Sequence, residues 1–130
     1  MRNEKGSVVS TNTDTVNRYI DGFRTGDHEH ILSCLTDDIV WTVFGAFRLE
    51  GKVAYDAAID GGPEFDGPPR LTVVRMVEQD DVVMAEMSGS AARVDGTELR
   101  MSMAEVFRMR GGLIAERRAW VIPLEHDDVR

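Results

Sequence analysis

The spacing of hydrophobic residues divides the chain into a helical first half and a β-rich second half. Apolar residues recur every three or four positions in three segments, which predicts helices over residues 13–25, 28–35 and 52–59. Alternating or β-branched segments predict strands over residues 38–44, 47–49 and 71–78, and more strands within residues 82–122. This order predicts an α+β fold, with three N-terminal helices packed on the concave face of a curved, cone-shaped sheet that is antiparallel or mixed.

Two glycine turns set the expected register of the last strands. Asp95-Gly96 and Gly111-Gly112 are typical of hairpin turns, because glycine adopts the positive φ that these turns need. If each turn is a two-residue loop, Glu86 lies opposite Glu105, and Glu105 lies opposite Arg118. Side chains alternate across a strand, so these three would share one face, with about 5 Å between neighbouring strands.

The neighbours of these charged residues predict that they are buried. The same face carries most of the large apolar side chains of this region, namely Met84, Leu99, Met101, Met103, Phe107, Met109, Ile114, Trp120 and Ile122. An unpaired charge is costly on such a face, so Arg118 is the expected partner of the two glutamates. A glutamate left without a partner should have a raised pKa. Continuing the register through a turn at residues 79–82 places Arg75 opposite Glu86.

Length and composition indicate a single domain. With 130 residues, of which 42% are hydrophobic, the chain is long enough for one core. We expect the domain to cover residues 13–124, between flexible polar tails at residues 1–12 and 125–130. The single cysteine, Cys34, excludes an internal disulfide.

Charge and hydropathy narrow the range of partners. The net charge of −8 argues against nucleic acid, because phosphate binding needs clustered Lys and Arg. No segment approaches the roughly 20 apolar residues of a membrane span, and the first residues do not resemble a signal peptide. The sequence has no metal-ligand spacing, phosphate loop or nucleotide-binding motif. We therefore expect a cytoplasmic protein without a membrane or nucleic-acid partner, and without a metal or cofactor.

Short motifs, in their order along the chain, resemble a known superfamily. They are Arg18-Tyr19-Ile20, Gly26-Asp27, Leu35-Thr36-Asp37-Asp38, Gly51-Lys52, Asp95-Gly96 and the segment from Phe107 to Ile114. Together they resemble the nuclear-transport-factor-2-like superfamily, in particular its SnoaL-like family, over about residues 13 to 122. Ketosteroid isomerases, SnoaL-like polyketide cyclases and limonene epoxide hydrolase belong to this superfamily. The resemblance implies a cone-shaped fold with a small-molecule pocket, and a homodimer.

The resemblance also implies candidate catalytic residues. In ketosteroid isomerases a tyrosine of the first helix and a protonated carboxylic acid of a late strand form an oxyanion hole. Tyr19 and Glu105 resemble these two groups. Thr42 or Val43 stands where those enzymes have a catalytic aspartate, and Ile122 stands where SnoaL-like cyclases have one.

Two functions are open at this point, and the first is enzymatic. It is a pocket protein that binds an apolar carbonyl or epoxide compound and catalyses isomerisation, cyclisation or hydration without a cofactor. Tyr19 and Glu105 would donate to a developing oxyanion, Glu86 would act as the base, and Arg118 would set their pKa values. This cluster is similar in composition to the arginine and two aspartates of limonene epoxide hydrolase. The residues expected to line the pocket are Phe23, Trp41, Phe44, Tyr55, Phe65, Met103, Phe107 and Trp120.

The second function is a non-catalytic ligand-binding or dimeric assembly module. In that case the charged cluster is a structural row of ion pairs that fixes the strand register. The outer sheet face would form the homodimer interface. Its expected residues are Ala85, Met87, Gly89, Ala91, Ala104, Val106, Ala119 and Val121.

Overall fold

A computed structural model describes residues 11–125 and confirms the α+β class. The helices are α1 (Thr11–Thr25), α2 (His28–Ser33) and α3 (Lys52–Ala58). The strands are β1 (Leu35–Val43), β2 (Phe47–Glu50), β3 (Arg70–Gln79), β4 (Val82–Ala92), β5 (Glu98–Arg110) and β6 (Leu113–Leu124). All these elements lie close to the predicted segments.

The strands form one mixed sheet in the order β2-β1-β6-β5-β4-β3. Every neighbouring pair is antiparallel except β1 and β6, which run parallel. Two of the helices are only six and seven residues long. The cone shape, with all three helices on its concave face, therefore stays a prediction.

Helix α1 places Tyr19 against the sheet. Its apolar stripe buries Val16, Tyr19 and Ile20, and the helix contacts β3, β4 and β6. The helix ends at Gly26, which adopts a φ of +68°. Asp27 then caps α2, because its side chain accepts a hydrogen bond from the His30 backbone N–H at 3.0 Å.

The hairpin between β4 and β5 has a three-residue loop, so the predicted pairing of Glu86 with Glu105 is wrong. Arg93 N donates to Thr97 O at 2.8 Å across a loop of Val94, Asp95 and Gly96. Gly96 has a φ of +88°, as expected for a type I turn closed by a glycine. The extra loop residue shifts the register by one. Glu105 therefore lies opposite Ala85, and Glu86 lies opposite Ala104.

A β-bulge in β6 makes the second predicted pairing, of Glu105 with Arg118, wrong. The turn after Arg110 has the predicted two residues, because Arg110 pairs with Leu113. The register then shifts at Ala115, which has no partner on β5. Beyond this bulge Arg117 lies opposite Phe107 and occupies the buried face, whereas Arg118 points to the opposite face.

These two shifts change which side chains are buried. Met84, Trp120 and Ile122 were predicted to be buried, but they are exposed. Ala85, Met87, Gly89, Ala91, Ala119 and Val121 were predicted on the outer face, but they lie on the helix side of the sheet. The predicted positions are confirmed for Leu99, Met101, Met103, Phe107, Met109 and Ile114 on the buried face, and for Ala104 and Val106 on the outer face.

The register of β3 against β4 is as predicted at the turn. Gln79 pairs with Val82, and Arg75 pairs with Glu86. Arg75 Nε lies 2.8 Å from Glu86 Oε1, with more than half of each side chain exposed. Glu86 therefore belongs to a surface ion pair.

The domain limits are tested only in part. Helix α1 begins at Thr11, so Thr11 and Asn12 are helical and do not belong to the predicted tail. Residues 1–10 and 126–130 lie outside the described residues, so the tails stay a prediction. Between residues 11 and 125, none of the helices has the length and hydropathy of a membrane-spanning segment.

Candidate functional site

A buried ion pair between Glu105 and Arg117 lies at the centre of the site. Glu105 on β5 is 1% exposed. Arg117 donates from Nε to Glu105 Oε1 at 2.8 Å and from Nη2 to Oε2 at 2.9 Å. Such a bidentate arrangement fixes the carboxylate in the plane of the guanidinium. The bulge at Ala115 makes this pair possible, because it turns Arg117 to the buried face.

Two tyrosines complete the polar cluster. Arg117 Nη1 donates to the Tyr19 hydroxyl at 2.5 Å and to the Tyr55 hydroxyl at 3.2 Å. The two hydroxyls also share a hydrogen bond with each other. Tyr19 comes from α1 and Tyr55 from α3, so the cluster joins both helices to the sheet. Both tyrosines are fully buried.

Aromatic rings surround the guanidinium of Arg117. Its central carbon lies 4.3 Å from the centre of the Trp41 ring, 5.4 Å from that of Phe23 and 5.5 Å from that of Tyr19. These distances are within the range of cation–π contacts. Trp41 also stacks on Tyr55, with 4.6 Å between ring centres. The cation is therefore held between rings in a site of low dielectric constant.

Burial and charge set the protonation of these groups. Burial raises the pKa of Tyr19 well above its ordinary value, although the Arg117 charge acts in the opposite direction. Burial likewise raises the pKa of Tyr55. For Arg117, burial is the largest single influence and would lower the pKa, but the Glu105 carboxylate and the two tyrosines together outweigh it, so the pKa is raised. At neutral pH both tyrosines are thus neutral, and Arg117 is charged.

A mostly apolar cavity of about 200 Å³ adjoins this cluster. Its polar wall includes Tyr19, Glu105 and Arg117, with Asp60 as a further charged residue. The apolar wall includes Phe23, Phe65, Leu71, Met87, Met101 and Met103. Few polar groups in an apolar wall are typical of small-molecule sites.

The loop between α3 and β3 forms one side of the cavity through Gly61, Phe65, Gly67 and Pro69. The β4–β5 hairpin holds this loop. Asp66 N donates to Ala92 O at 2.9 Å, and Val94 N donates to Glu64 O at 2.9 Å. This loop is therefore a wall of the cavity that backbone hydrogen bonds hold in place.

A histidine outside the cluster ties the start of α2 to the end of α3. His28 Nδ1 lies 2.6 Å from Asp56 Oδ1, and Nε2 lies 2.8 Å from Asp60 Oδ1. These hydrogen bonds raise the pKa of His28. Since Asp60 lines the cavity, this bridge is part of the cavity's support.

The structure brings some of the predicted site residues together and separates others. The cavity lining includes Tyr19, Phe23, Phe65, Met103 and Glu105. Three others are buried behind it, namely Trp41, Tyr55 and Phe107. Four lie on the outer face or at its edge, namely Phe44, Glu86, Arg118 and Trp120.

The predicted cluster of Glu86, Glu105 and Arg118 is therefore wrong in two of its members. Glu86 pairs with Arg75 on the surface. Arg118 lies 3.6 Å from Glu116 and over the ring of Phe44. The residue that the sequence analysis missed is Arg117. The signal for it was weak, because the bulge at Ala115 has no glycine or proline to mark it.

Comparison with known proteins supports the fold. A model of the SnoaL-like domain family matches residues 16–117. No curated protein sequence gives a significant match. The fold is similar to that of an NTF2-like protein of unknown function from Burkholderia pseudomallei, with a TM-score of 0.78 and 19% identity over 85% of this chain and 90% of that chain.

Two further solved structures carry names that describe a ligand or an activity. An LEH-like epoxide hydrolase from M. tuberculosis has a TM-score of 0.76 and 16% identity, over 86% of this chain and 83% of that chain. TerC, co-crystallized with polyporic acid, has a TM-score of 0.73 and 23% identity, over 85% of this chain and 90% of that chain. At such low identities these similarities support a common fold and not a common activity.

Proposed function

The chain belongs to the SnoaL-like domain family, and we propose that it is a cofactor-free enzyme acting on a small neutral compound with a carbonyl or epoxide oxygen. The observation that carries the proposal is the buried cluster of Tyr19, Glu105 and Arg117 at the wall of an apolar cavity. Buried donors that face an apolar cavity can stabilise negative charge that develops on a substrate oxygen. The reaction classes that fit are isomerisation, cyclisation and hydration.

Charge balance in the cluster favours a neutral ligand. The Glu105 carboxylate neutralises Arg117, and both tyrosines are uncharged at neutral pH. An anionic ligand would therefore bring an uncompensated negative charge close to Glu105 in a poorly solvated site, which is costly. A ketone, enone or epoxide brings an acceptor oxygen without that cost.

In the proposed complex the Tyr19 proton points towards the ligand. Both hydroxyl oxygens accept from Arg117 Nη1, and a single proton occupies the bond between them. If Tyr55 supplies that proton, the Tyr19 proton is left to donate elsewhere. Tyr19 lines the cavity, so a ligand oxygen is the natural acceptor. Two bonds accepted by Tyr19 strengthen it as a donor.

Glu105 supplies the base in this proposal. A carboxylate has about four lone-pair sites, and Arg117 occupies one on each oxygen. Glu105 also contributes to the cavity wall, where its remaining lone pairs can accept a proton from a ligand carbon or from a water molecule. This role replaces the one that the sequence assigned to Glu86.

A homodimer through the outer sheet face is proposed as the assembly. Phe44 and Trp120 stack there, with 4.7 Å between ring centres, although each residue is about 40% exposed. Met84 and Ile122 are exposed large apolar residues of the same face. Exposed apolar patches of this kind are typical of interaction surfaces. The same surface would serve a non-catalytic assembly module, which is the alternative function.

The test of the enzymatic proposal uses small neutral compounds. The protein is incubated in D₂O with cyclohex-2-enone or cyclohexanone, and proton exchange next to the carbonyl is followed by NMR; cyclohexene oxide tests epoxide hydration. We expect exchange or hydration with the wild type and its loss with Tyr19→Phe. If a compound shifts the NMR signals of the Phe23 and Met103 amides but none is turned over, the non-catalytic ligand-binding module is favoured instead. If no compound shifts these amides, both the enzymatic and the ligand-binding function are overturned, and only the assembly module is left.

A further inference from the structure

One position on the cavity side of β4 has no side chain. The residues on either side of it on this face, Met87 and Ala91, both line the cavity, whereas Gly89 between them does not. Gly89 pairs with Leu71 on β3 and with Met101 on β5, which both line the cavity, so it lies directly behind the cavity wall. Since it lies in a continuous strand and has no positive φ, backbone geometry does not require a glycine here.

The space above Gly89 is taken by the end of Met103. A Cβ atom added at Gly89 would lie 2.9 Å from Met103 Cε, 3.1 Å from the Arg70 carbonyl oxygen and 3.1 Å from Leu71 Cδ2. Contacts below about 3 Å are too short to persist, so the neighbour has to move. The Arg70 carbonyl belongs to the paired strand β3 and cannot move easily. The Met103 methyl is the mobile member of this set.

From this packing we propose that Met103, seated on Gly89, limits the cavity to ligands with a single ring. The inference rests on the proposed function, because it concerns the substrate size of the same cavity. Met103 lines the cavity and is almost fully buried, so a ligand meets its side chain as part of the wall. An apolar cavity of about 150 Å³ holds one benzene molecule. A volume of about 200 Å³ therefore accommodates one ring with small substituents.

Two substitutions change the cavity in opposite directions. Met103→Ala removes the thioether arm and opens the cavity as far as Gly89. Gly89→Ala places a methyl group 2.9 Å from Met103 Cε, too close for both to stay, and so pushes the Met103 side chain into the cavity. Neither substitution touches the polar cluster, so ligand polarity should still be recognised in the same way.

The experiment measures the binding of two neutral ketones of different size. Cyclohex-2-enone has one ring and 1-tetralone has two, and amide NMR titration of the full chain gives both the dissociation constants and the location of binding. Differences of one or a few methylene groups in an apolar pocket change affinity by about tenfold or more. We expect the wild type to prefer cyclohex-2-enone, and Met103→Ala to tighten 1-tetralone binding by about tenfold or more relative to the wild type. Gly89→Ala should weaken the binding of cyclohex-2-enone by about tenfold.

Met109→Ala is the matched control. Met109 lies on the same strand and the same face and is buried, but it does not line the cavity. It should lower stability while leaving the preference between the two ketones unchanged, and circular dichroism verifies that each variant is folded. If the wild type binds both ketones equally, or if Met103→Ala does not change the preference, the size limit is overturned and the proposed function stands. If neither ketone shifts cavity amides in any variant, the proposed function itself fails, and the size limit fails with it.

Discussion

Arg117 and Glu105 neutralise each other inside the protein through two parallel hydrogen bonds, at 2.8 and 2.9 Å. Burial of either charge alone would be costly, whereas the pair with its hydrogen bonds is tolerated. Arg117 contributes four N–H hydrogens to described side chains, which are Glu105, Tyr19 and Tyr55. Stability and chemistry therefore depend on the same groups, and the two contributions have to be separated by experiment.

The first prediction separates the structural role of the pair from its chemical role. Glu105→Ala leaves Arg117 as an unpaired buried charge, so the free energy of unfolding should fall by about 3–5 kcal/mol. Replacing both residues, in Glu105→Leu/Arg117→Met, should recover most of this loss, because no charge is left buried. Urea unfolding measures both effects. The double variant should still have no turnover, and an active double variant would remove the pair from the mechanism.

The second prediction concerns the two tyrosines. Tyr19→Phe removes the donor that lines the cavity, and the loss of one oxyanion donor typically lowers kcat by about 10²–10³. Tyr55→Phe removes the bond that orients Tyr19 and one acceptor of Arg117, but no group that lines the cavity, so the fall in kcat should be smaller. Both variants lose one buried hydroxyl, and each should cost about 1–2 kcal/mol of stability. Steady-state kinetics on the identified substrate, with thermal melting as the stability control, tests the ranking. Equal falls in kcat would contradict it.

The third prediction concerns pH and His28. Its hydrogen bonds to Asp56 and Asp60 raise its pKa in the folded state above the unfolded value of about 6.5. The protonated form is therefore favoured by folding, and its stabilisation is fully present below about pH 6.5 and lost as pH rises through the folded pKa. Melting temperatures between about pH 5.5 and pH 8.5 should fall more steeply in the wild type than in His28→Gln.

His30→Gln is the control for this series, because the His30 ring bonds the backbone carbonyl of Arg18 and contacts no carboxylate in the described structure. This variant should keep the wild-type slope. The effect is small, since Asp56 and Asp60 are both exposed and solvent screens the interaction. Identical slopes for the wild type and His28→Gln would show that the bridge does not form in solution.

The fourth prediction concerns assembly. If the outer face forms a homodimer, Trp120→Lys should produce a monomer, because a charge at a buried interface has no partner there. Val53→Lys is the matched control, since Val53 is an exposed apolar residue of α3, away from this face. Light scattering after size-exclusion chromatography gives the mass of each. A wild type that is monomeric at high concentration would contradict the proposed interface.

The helices and strands could be predicted well, because hydrophobic periodicity and the residues that end helices and strands are local features of the sequence. Gly26, Asp27 and the glycine turns lie where the helices and hairpins end, and the strands follow the alternating segments. These local features were enough to predict the α+β class, the strand order along the chain and the pairing of Arg75 with Glu86. Tyr19 was accessible too, because its position on the apolar stripe of α1 fixes the direction of its side chain.

The register of the site could not be predicted from the sequence, because it depends on a shift of one residue at each of two places, the β4–β5 loop and the bulge in β6. Asp-Gly is typical of two-residue loops, but glycine also closes three-residue loops, which is what Val94 to Gly96 form. Further along, β6 has small Ala119 on its buried face and large Trp120 on its exposed face. The sizes of the apolar residues therefore favoured the wrong set of buried positions along β6. The predicted partner of Glu105 was consequently Arg118, the neighbour of the observed partner Arg117.

The bulge at Ala115 also decides how much room the cavity has. If Ala115 paired with Arg108, every later residue of β6 would shift by one position, so Arg118 would turn inward and keep a guanidinium beside Glu105. The same shift would replace the Ala119 methyl group with the Trp120 indole on the inner face. A regular strand of the same length would thus preserve the charge of the site while closing the room that a substrate needs.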